Sequence, residues 1–563
     1  MNYKLYSNAK NDYLDSEKIF RQVLENRNVK NIDRYVNLDD GVLHDYSLLN
    51  NIDLAVECLD KHIKDGGNIS IIVDCDPDGY CSAAMMYNYL RRTLKHNRIK
   101  YVLHEKKKHG LSNDITIPEG TTLLIIPDAG SNDYEELKKL KDRGIDVIIL
   151  DHHEAEYVSE DAIVVNNQLC DYPNKNLCGA GIVYKFLQAL DDYYFEMSAD
   201  DYLDLVALAN IADVMDITEL ETKRLIDKGL ENVKNPMFKA IIDKRAYDIK
   251  GQITINNVAF YIVPVINAII RVGSLGDKDL LFQGFLEKYQ TFKYKKRGED
   301  ELVDEIIYDK VAREGTNLKA KQTREMDKYL KDVFKLIENE KLSNNNLLVV
   351  NATEFNQSLT GIMAIKVASK YDRPCLMIRQ KEDNTELFGG SGRNIDNNGI
   401  DDLKEYLNNT GLIMAEGHPN AFGIVELHKD NIDKLIDLFN QDDSIVQKHF
   451  YVDFIVPFDE LTDDFIGTLN VLKKHWGKGI KEPYIAIENI DVHPEEVSVM
   501  GKEMNTVKIN VDGIEFIKFK CDLTERLMTM EEDFTMNIVG KCSMNDFNGK
   551  VTPQIIIEAY EIV

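Results

Sequence analysis

Apolar residues change their rhythm several times along this chain, and each change predicts a different kind of element. Over the first sixty residues they recur every three or four positions, most clearly in "SEKIFRQVLENR" and "NIDLAVECLDKHI", which predicts amphipathic helices. From about 68 to 213 short continuous runs take over: "NISIIVD", "TTLLIIPD", "DVIILDHH" and "DAIVVNN", separated by amphipathic stretches such as "NDYEELKKLKDRG". That alternation predicts an α/β fold with a doubly wound, mainly parallel sheet. "DYLDLVALANIADV" and "TKRLIDKGLENV" then predict helices to about 275.

Residues 285–340 turn polar, with "KYKKRG" followed by "KVAREGTNLKAKQTREMDKYLKDVFKLIENE", and predict a long connecting helix. A second α/β unit starts at "NLLVVNATEF", continues through a helix at 358–371 and the strand "PCLMIRQ", and ends near 440. The last hundred residues hold short alternating segments, "EVSVMG", "TVKINV", "EFIKFKC" and "QIIIEAYEIV", which predict a small antiparallel barrel. The resulting boundaries are an N-terminal helical cap at 1–60, a first α/β domain at 61–284, a connecting helical segment at 285–340, a second α/β domain at 341–445 and an OB-like barrel at 446–563.

Composition narrows the function. A chain of 563 residues is too long for one hydrophobic core. A formal charge of −28 repels phosphate overall and excludes a protein that coats nucleic acid indiscriminately; it allows a local basic channel and suits a binder of divalent cations. No apolar leader follows "MNYKLYSNAKNDY" and no apolar run reaches membrane-spanning length, so the expectation is a cytoplasmic protein without membrane contact. The eight cysteines form no CxxC pair and no His/Cys cluster of zinc spacing, so neither structural zinc nor a disulfide framework is expected.

The chemistry starts at "SIIVDCDPDGYCSAA", where Asp74, Asp76 and Asp78 follow an apolar run. Alternate residues of extended backbone point the same way, so Asp74 and Asp76 can project towards one spot. Such crowding is stable when a cation stands between the carboxylates. The following "CSAAMMYNYLRRTL" reads as a helix with Ala83, Met86, Leu90 and Leu94 on one face. Two further apolar runs end on Asp128 and on Asp151, His152 and His153, and Asp213 closes a helix. Each cluster alone reads first as an acidic surface turn. Together they put donors at three strand ends, where α/β sheets bind ligands. Asp and His without Cys favour Mn²⁺ or Mg²⁺, and two such ions sharing a carboxylate activate water and neutralise a phosphoryl oxygen.

In order and spacing, "DCDPDG", "PDAGSND", "LDHHEAE" and "ANIADV" resemble motifs I to IV of the DHH phosphoesterase superfamily, and among its branches the RecJ single-strand-specific 5′ to 3′ exonucleases. Relatives acting on short oligonucleotides or cyclic dinucleotides usually begin the first motif with a His four residues earlier, where this chain has Ser70. "CDYPNKNLCGAGIVYKF" and "VPVINAIIRVG" resemble two further RecJ stretches, "FGGSGRN" and "EGHPNAFG" resemble the DHHA1 domain, and "HWGKGIKEP" resembles the segment leading into the RecJ OB domain. The resemblance implies Asp74, Asp76, Asp78, Asp128, His152 and Asp213 as the metal set for two Mn²⁺ or Mg²⁺ ions, with Asp128 bridging. It implies catalytic roles for Asp76, Asp128, His152 and His153, the last contacting the scissile phosphate. Substrate contacts fall to Asn267, Arg271, Gly390, Ser391, Arg393, Gly417 and His418, with Ser391, Arg393 and Arg271 where the family holds a 5′-phosphate.

Departures concern substrate handling. Val265 and Glu416 replace a family Arg and Gly, and "VLHEKKKHGLS" replaces a family loop, with His104 aligned to its Arg and Lys106, Lys107 and Lys108 adding charge. The implied protein is a monomeric single-stranded-DNA exonuclease of recombination, repair or replication, whose candidate protein partners are a single-strand-binding protein or a helicase. The alternatives are a phosphodiesterase for short oligonucleotides or cyclic dinucleotides and a non-catalytic scaffold. "TFKYKKRG", with Phe292 and Tyr294, reads as a solvated link or a nucleic-acid path. Tyr484, Phe516 and Phe519 are either barrel core or stacking platforms, and Cys75 and Cys81 simply pack.

Overall fold

The computed structural model describes the whole chain except residues 7–11, 14, 106–108, 112–114, 250, 252, 297, 299–300, 396–397, 443–449, 502–503, 522–523, 525–526, 528–529 and 548. The expected charge of Lys106, Lys107 and Lys108 lies outside the described residues. Two compact units result: one of residues 14–319 and 468–482, the other of 1–13, 320–467 and 483–563.

The first unit is built on five parallel strands, β1 (Ile69–Val73), β2 (Ile99–Leu103), β3 (Leu123–Pro127), β4 (Asp146–Asp151) and β5 (Ile163–Asn166), in the order β2-β1-β3-β4-β5. The Ile, Leu and Val runs of β1, β3 and β4 are buried on both faces, as strands covered by helices on each side must be. The order reverses at β1, opening a crevice outside the carboxyl ends of β1 and β3. Helix α1 (Ile52–Lys64) packs beside β5.

Helix α2 (Pro77–Asn88) begins earlier than the sequence predicts. Asp76 caps it by accepting from the Gly79 amide at 3.0 Å, and Pro77 at the first position has its φ already set for a helix. It has no exposed face, because α3 (Gly179–Tyr194) and α4 (Leu203–Ala212) pack against it; the single apolar face expected of it is corrected accordingly. Ile255–Val272, which includes α5 (Val263–Val272), is long and apolar enough to reach the range of a membrane span. That corrects the expectation that no run does; half of the stretch is buried in the unit. Val265, on this stretch, is buried, and a Cβ on Gly315 would stand 2.9 Å from it.

Within "TFKYKKRG", Thr291–Lys295 (β6) pairs with Leu302–Ile306 (β7) as a solvated hairpin, where a link was expected. The long helix α6 (Ile307–Asn339) follows, with Lys310 over the Phe292 ring and Arg313 over the Tyr294 ring at 5.2 and 4.2 Å. Each ring therefore has a cation over one of its faces.

In the second unit, β8 (Leu348–Asn351), β9 (Cys375–Gln380), β10 (Leu387–Arg393), β11 (Ile413–His418) and β12 (Ala421–His428) form a sheet in the order β11-β12-β10-β9-β8. Only β8 and β9 run parallel. Helix α7 (Thr360–Tyr371) and Met326, Leu330, Val333 and Ile337 of α6 close one core on it.

The C-terminal region corrects the expected antiparallel barrel. Among the described residues it is a mixed seven-stranded sheet, not closed, with Phe454–Pro457 at one edge and Val497–Met500 at the other. Phe454–Pro457 runs parallel to Ile485–Val492, because residues 458–484 form a long crossover between them. Phe516 is fully buried and offers no stacking face, Tyr484 lies under Lys541 at 4.8 Å, and Phe519 is exposed. The first residues are not all helical: Tyr3–Leu5 is a strand paired with Phe450–Val452.

Candidate metal centre

Every predicted metal residue lies in the first unit, most of them at the carboxyl end of its sheet. Asp74 leaves β1, Asp128 leaves β3 and Asp151 ends β4, so three neighbouring strands deliver carboxylates to one crevice. Asp128 adopts a left-handed backbone with φ 64°, which Asp tolerates better than most residues. Asp213 caps the end of α4.

Donor atoms of Asp74, Asp76 and Asp128 lie within 4.8 Å of one another, as do those of Asp78, His152 and Asp213, and those of Asp128, His152 and His153. Asp128 joins two of these groups. His152 Nε2 is 3.2 Å from Asp128 Oδ1, 3.6 Å from Asp213 Oδ2 and 3.8 Å from Asp78 Oδ2. Both Asp128 oxygens are buried without a hydrogen-bond partner among the described residues. A buried, unpaired carboxylate among others is costly unless it keeps its proton or meets a cation. Burial, reinforced by Asp78, Asp76 and Asp74, pushes Asp128 far above the usual carboxyl range. Burial and then Asp78 and Asp76 push Asp213 up to about 8, and burial with Asp74 and Asp78 raises Asp76. Burial lowers the His152 imidazole, which keeps it neutral and able to ligate. A hard oxygen set with one imidazole and unpaired buried oxygens fits Mn²⁺ or Mg²⁺.

Asp78 also has a second set of partners beside the cluster. Its two oxygens accept from the Gly179 and Ala180 amides at 2.7 and 2.8 Å, and from Ser82 at 3.1 Å, so it anchors the N-terminus of α3 beside the cluster. Asp74 likewise accepts from the His109 ring at 2.6 Å and the Gly110 amide at 2.9 Å. The Asp74 bond, with Cys75 adding to it, pushes His109 up to about 11. His109 is absent from the sequence prediction because only the loop's path brings it to Asp74.

Asp151, also outside the predicted site, holds the His pair. It accepts from the His152 and His153 amides at 2.8 and 3.2 Å, from His153 Nδ1 at 2.8 Å and from the Ser131 amide at 3.1 Å. Burial alone would raise its pKa, but the His153 bond and charge dominate and hold it low. In return the Asp151 bond pushes His153 up to about 9, leaving a half-exposed imidazolium beside the carboxylates. The signal was in the sequence as "LDHH", although its first Asp reads there as a strand end.

The predicted substrate residues divide between the units. Asn267 and Arg271 lie one turn apart on α5, with Arg271 exposed. In the second unit Gly390, Ser391 and Arg393 lie on β10, and Gly417 and His418 on β11; the register aligns Arg393 with Ala421 and Ala421 with His418. Ser391 Oγ is 3.3 Å from Thr360 Oγ1 in the first turn of α7, and a Cβ on Gly361 would stand 2.7 Å from Arg393 Nη2. The positive end of a helix and a guanidinium thus converge, a combination that favours an anion.

Comparison with known proteins agrees with this architecture. The family model "DHH family, N-terminal domain" matches residues 68–210, and "RecJ OB domain" matches 452–559. The chain is 39% identical over 551 residues, covering 96% of it and 95% of the relative, to the "Putative SPbeta prophage-derived single-strand DNA-specific exonuclease YorK" of Bacillus subtilis (strain 168). It is 25% identical over 548 residues, covering 93% of it and 65% of the relative, to the single-stranded-DNA-specific exonuclease RecJ of the same organism. In fold it is similar to RecJ of Thermus thermophilus crystallised with Mn²⁺, with TM-score 0.69 at 16% identity over 100% of this chain and 78% of that one.

Proposed function

The chain belongs to the RecJ family of DHH phosphoesterases, and from that premise we propose that it is a metal-dependent exonuclease degrading single-stranded DNA from the 5′ end to 5′-mononucleotides. The observation that carries the reading is Asp128, buried with both oxygens unpaired beside Asp74, Asp76 and His152. Asp74, Asp76, Asp78, Asp128, His152 and Asp213 would hold two Mn²⁺ or Mg²⁺ ions. Bound there, they supply charge for a phosphoryl oxygen and lower the pKa of a water.

The chain's own groups do the rest. His153, kept protonated by Asp151, donates to a non-bridging oxygen of the scissile phosphate, where charge grows during attack. Asp78 holds the N-terminus of α3 and with it Gly179 against Asp128. Ser391, Arg393 and Arg271 are the residues proposed for the terminal 5′-phosphate, and Asn267 is proposed as a further substrate contact. Water adds to phosphorus, the bond to the 3′-oxygen of the terminal nucleotide breaks, and that nucleotide leaves with its 5′-phosphate.

Incubation of the purified chain and Mn²⁺ with single strands labelled at the 5′ or the 3′ end tests the reading. Early release of 5′-labelled mononucleotide is expected. Release from the 3′ end alone overturns the polarity, and absence of hydrolysis with every divalent metal overturns the activity.

A further inference from the structure

A second group of metal donors lies at the other end of the parallel sheet. Cys58 and His62 are one turn apart on α1, and Asp146 begins β4. One donor atom from each lies within 4.8 Å of the others. His62 Nε2 faces Asp146 Oδ2 at 2.8 Å, and His62 Nδ1 is 3.1 Å from Thr122 Oγ1, whose hydroxyl donates to the Asn68 carbonyl at 3.3 Å. With its hydroxyl proton so used, Thr122 accepts from Nδ1–H. The lone pair of Nε2 is then directed at a carboxylate, an arrangement completed by a proton or a cation. His62 is buried, Cys58 is partly so, and the Asp146 carboxylate is half exposed.

We propose that Cys58, His62 and Asp146 form a zinc site separate from the catalytic centre. A thiolate, an imidazole and a carboxylate are donors that Zn²⁺ takes in tetrahedral geometry, whereas Mn²⁺ and Mg²⁺ favour oxygen. The half-exposed Asp146 carboxylate leaves the site open to solvent, from which a water would come as fourth ligand. Thr122 plays the part of the outer hydrogen-bond acceptor that orients a ligating imidazole. Burial, with Asp146 adding to it, pushes the Cys58 thiol up to about 11, so the ion displaces the thiol proton to solvent on binding. An occupied site ties α1 to the start of β4, opposite the strand ends that carry Asp74, Asp128 and Asp151. Sequence reading passed over it because Asp146 lies 84 positions from His62.

The test uses the full chain stripped with a chelator and then titrated with Co²⁺, a spectroscopic stand-in for Zn²⁺. With excess Mg²⁺ present to fill the catalytic centre, thiolate-to-cobalt charge-transfer absorption should saturate at one equivalent, collapse on adding Zn²⁺, and vanish in Cys58→Ser. It should persist in Cys75→Ser, which controls for the cysteine beside the catalytic cluster. Asp146→Asn should weaken apparent Zn²⁺ affinity by roughly tenfold or more, as loss of even an outer-shell partner can. Mn²⁺-supported nuclease activity of Cys58→Ser should match the parent chain. Absence of the thiolate band in the parent chain overturns the site, as does a band that survives Cys58→Ser and disappears in Cys75→Ser. Should Cys58→Ser fail to fold, unchanged Zn²⁺ affinity in Asp146→Asn overturns it independently.

Discussion

Gly179 stands so close to Asp128 that a Cβ on the glycine would lie 2.5 Å from Asp128 Oδ1 and 2.8 Å from its Cα. The amide of the same glycine donates to Asp78 at 2.7 Å. One residue thus holds one acidic side chain through its backbone and makes room for another through its missing side chain.

Gly179→Ala forces α3 and the β3 end apart, because atoms of the Asp128 main chain cannot yield as a flexible side chain would. Overpacking of this kind costs about 1 to 3 kcal/mol, and displacing Asp128 lowers turnover by about a hundredfold. Denaturation midpoints and kcat check both. Unchanged turnover would mean that the position of Asp128 is not critical.

Stability of the metal-free protein should fall as pH rises. Carboxyls raised by burial, Asp213 to about 8 and Asp128 and Asp76 in the same direction, bind protons more tightly folded than unfolded. Their favourable contribution is complete below the ordinary Asp value of about 4 and is lost as pH climbs through about 8. With a chelator, melting temperature therefore declines from about pH 5 to about pH 8, and Mn²⁺ reverses the decline because ligands must lose protons to bind. Asp128→Asn should flatten the slope, raise the metal-free melting temperature at the alkaline end and abolish turnover. Melting curves with and without Mn²⁺ would expose an error: a decline as steep in the variant removes Asp128 from the cause.

Asp151→Asn should move the pH profile. His153 owes its pKa of about 9 first to the Asp151 hydrogen bond, so without it the imidazolium deprotonates at lower pH. The alkaline limb of kcat/KM shifts down, and activity recovers partly at acid pH. Asp151 has a depressed pKa, so its own contribution to stability is present above the ordinary Asp range and is lost as pH falls through its lower folded value. A pH–rate profile identical to that of the parent chain would show that His153 needs no charge.

Arg393→Ala should distinguish strand ends. A charge-assisted contact with a terminal phosphate is worth about 1.5 to 3 kcal/mol, roughly tenfold to a hundredfold. Strands with a 5′-phosphate should lose that factor in kcat/KM, and 5′-hydroxyl strands much less. Equal loss on both would assign Arg393 to an internal phosphate.

Local pattern was enough for the frame of this protein. The apolar runs before Asp74, Asp128 and Asp151 are short, continuous and spaced by helices, so a parallel sheet with carboxylates at its strand ends follows from burial on both faces. Asp213 was legible as the residue that closes the helical run "DYLDLVALANIADV". What periodicity cannot carry is which distant group each side chain meets. Asp78 turned out to hold α3, Asp151 to hold His153, and His109 to reach Asp74, because those partners depend on how helices and loops pack over the sheet. The C-terminal strands show the same limit: alternation predicted strands at Val497–Met500 and Ile514–Lys518, but the parallel pairings of Phe454–Pro457 with Ile485–Val492 and of Ile514–Lys518 with Lys550–Ile562 make their sheet mixed, and its two edges leave it open. Sequence determines the elements and the residues that end them; the tertiary structure alone decides the pairings, since hydrogen bonds and charge act through distances that the order of residues does not contain.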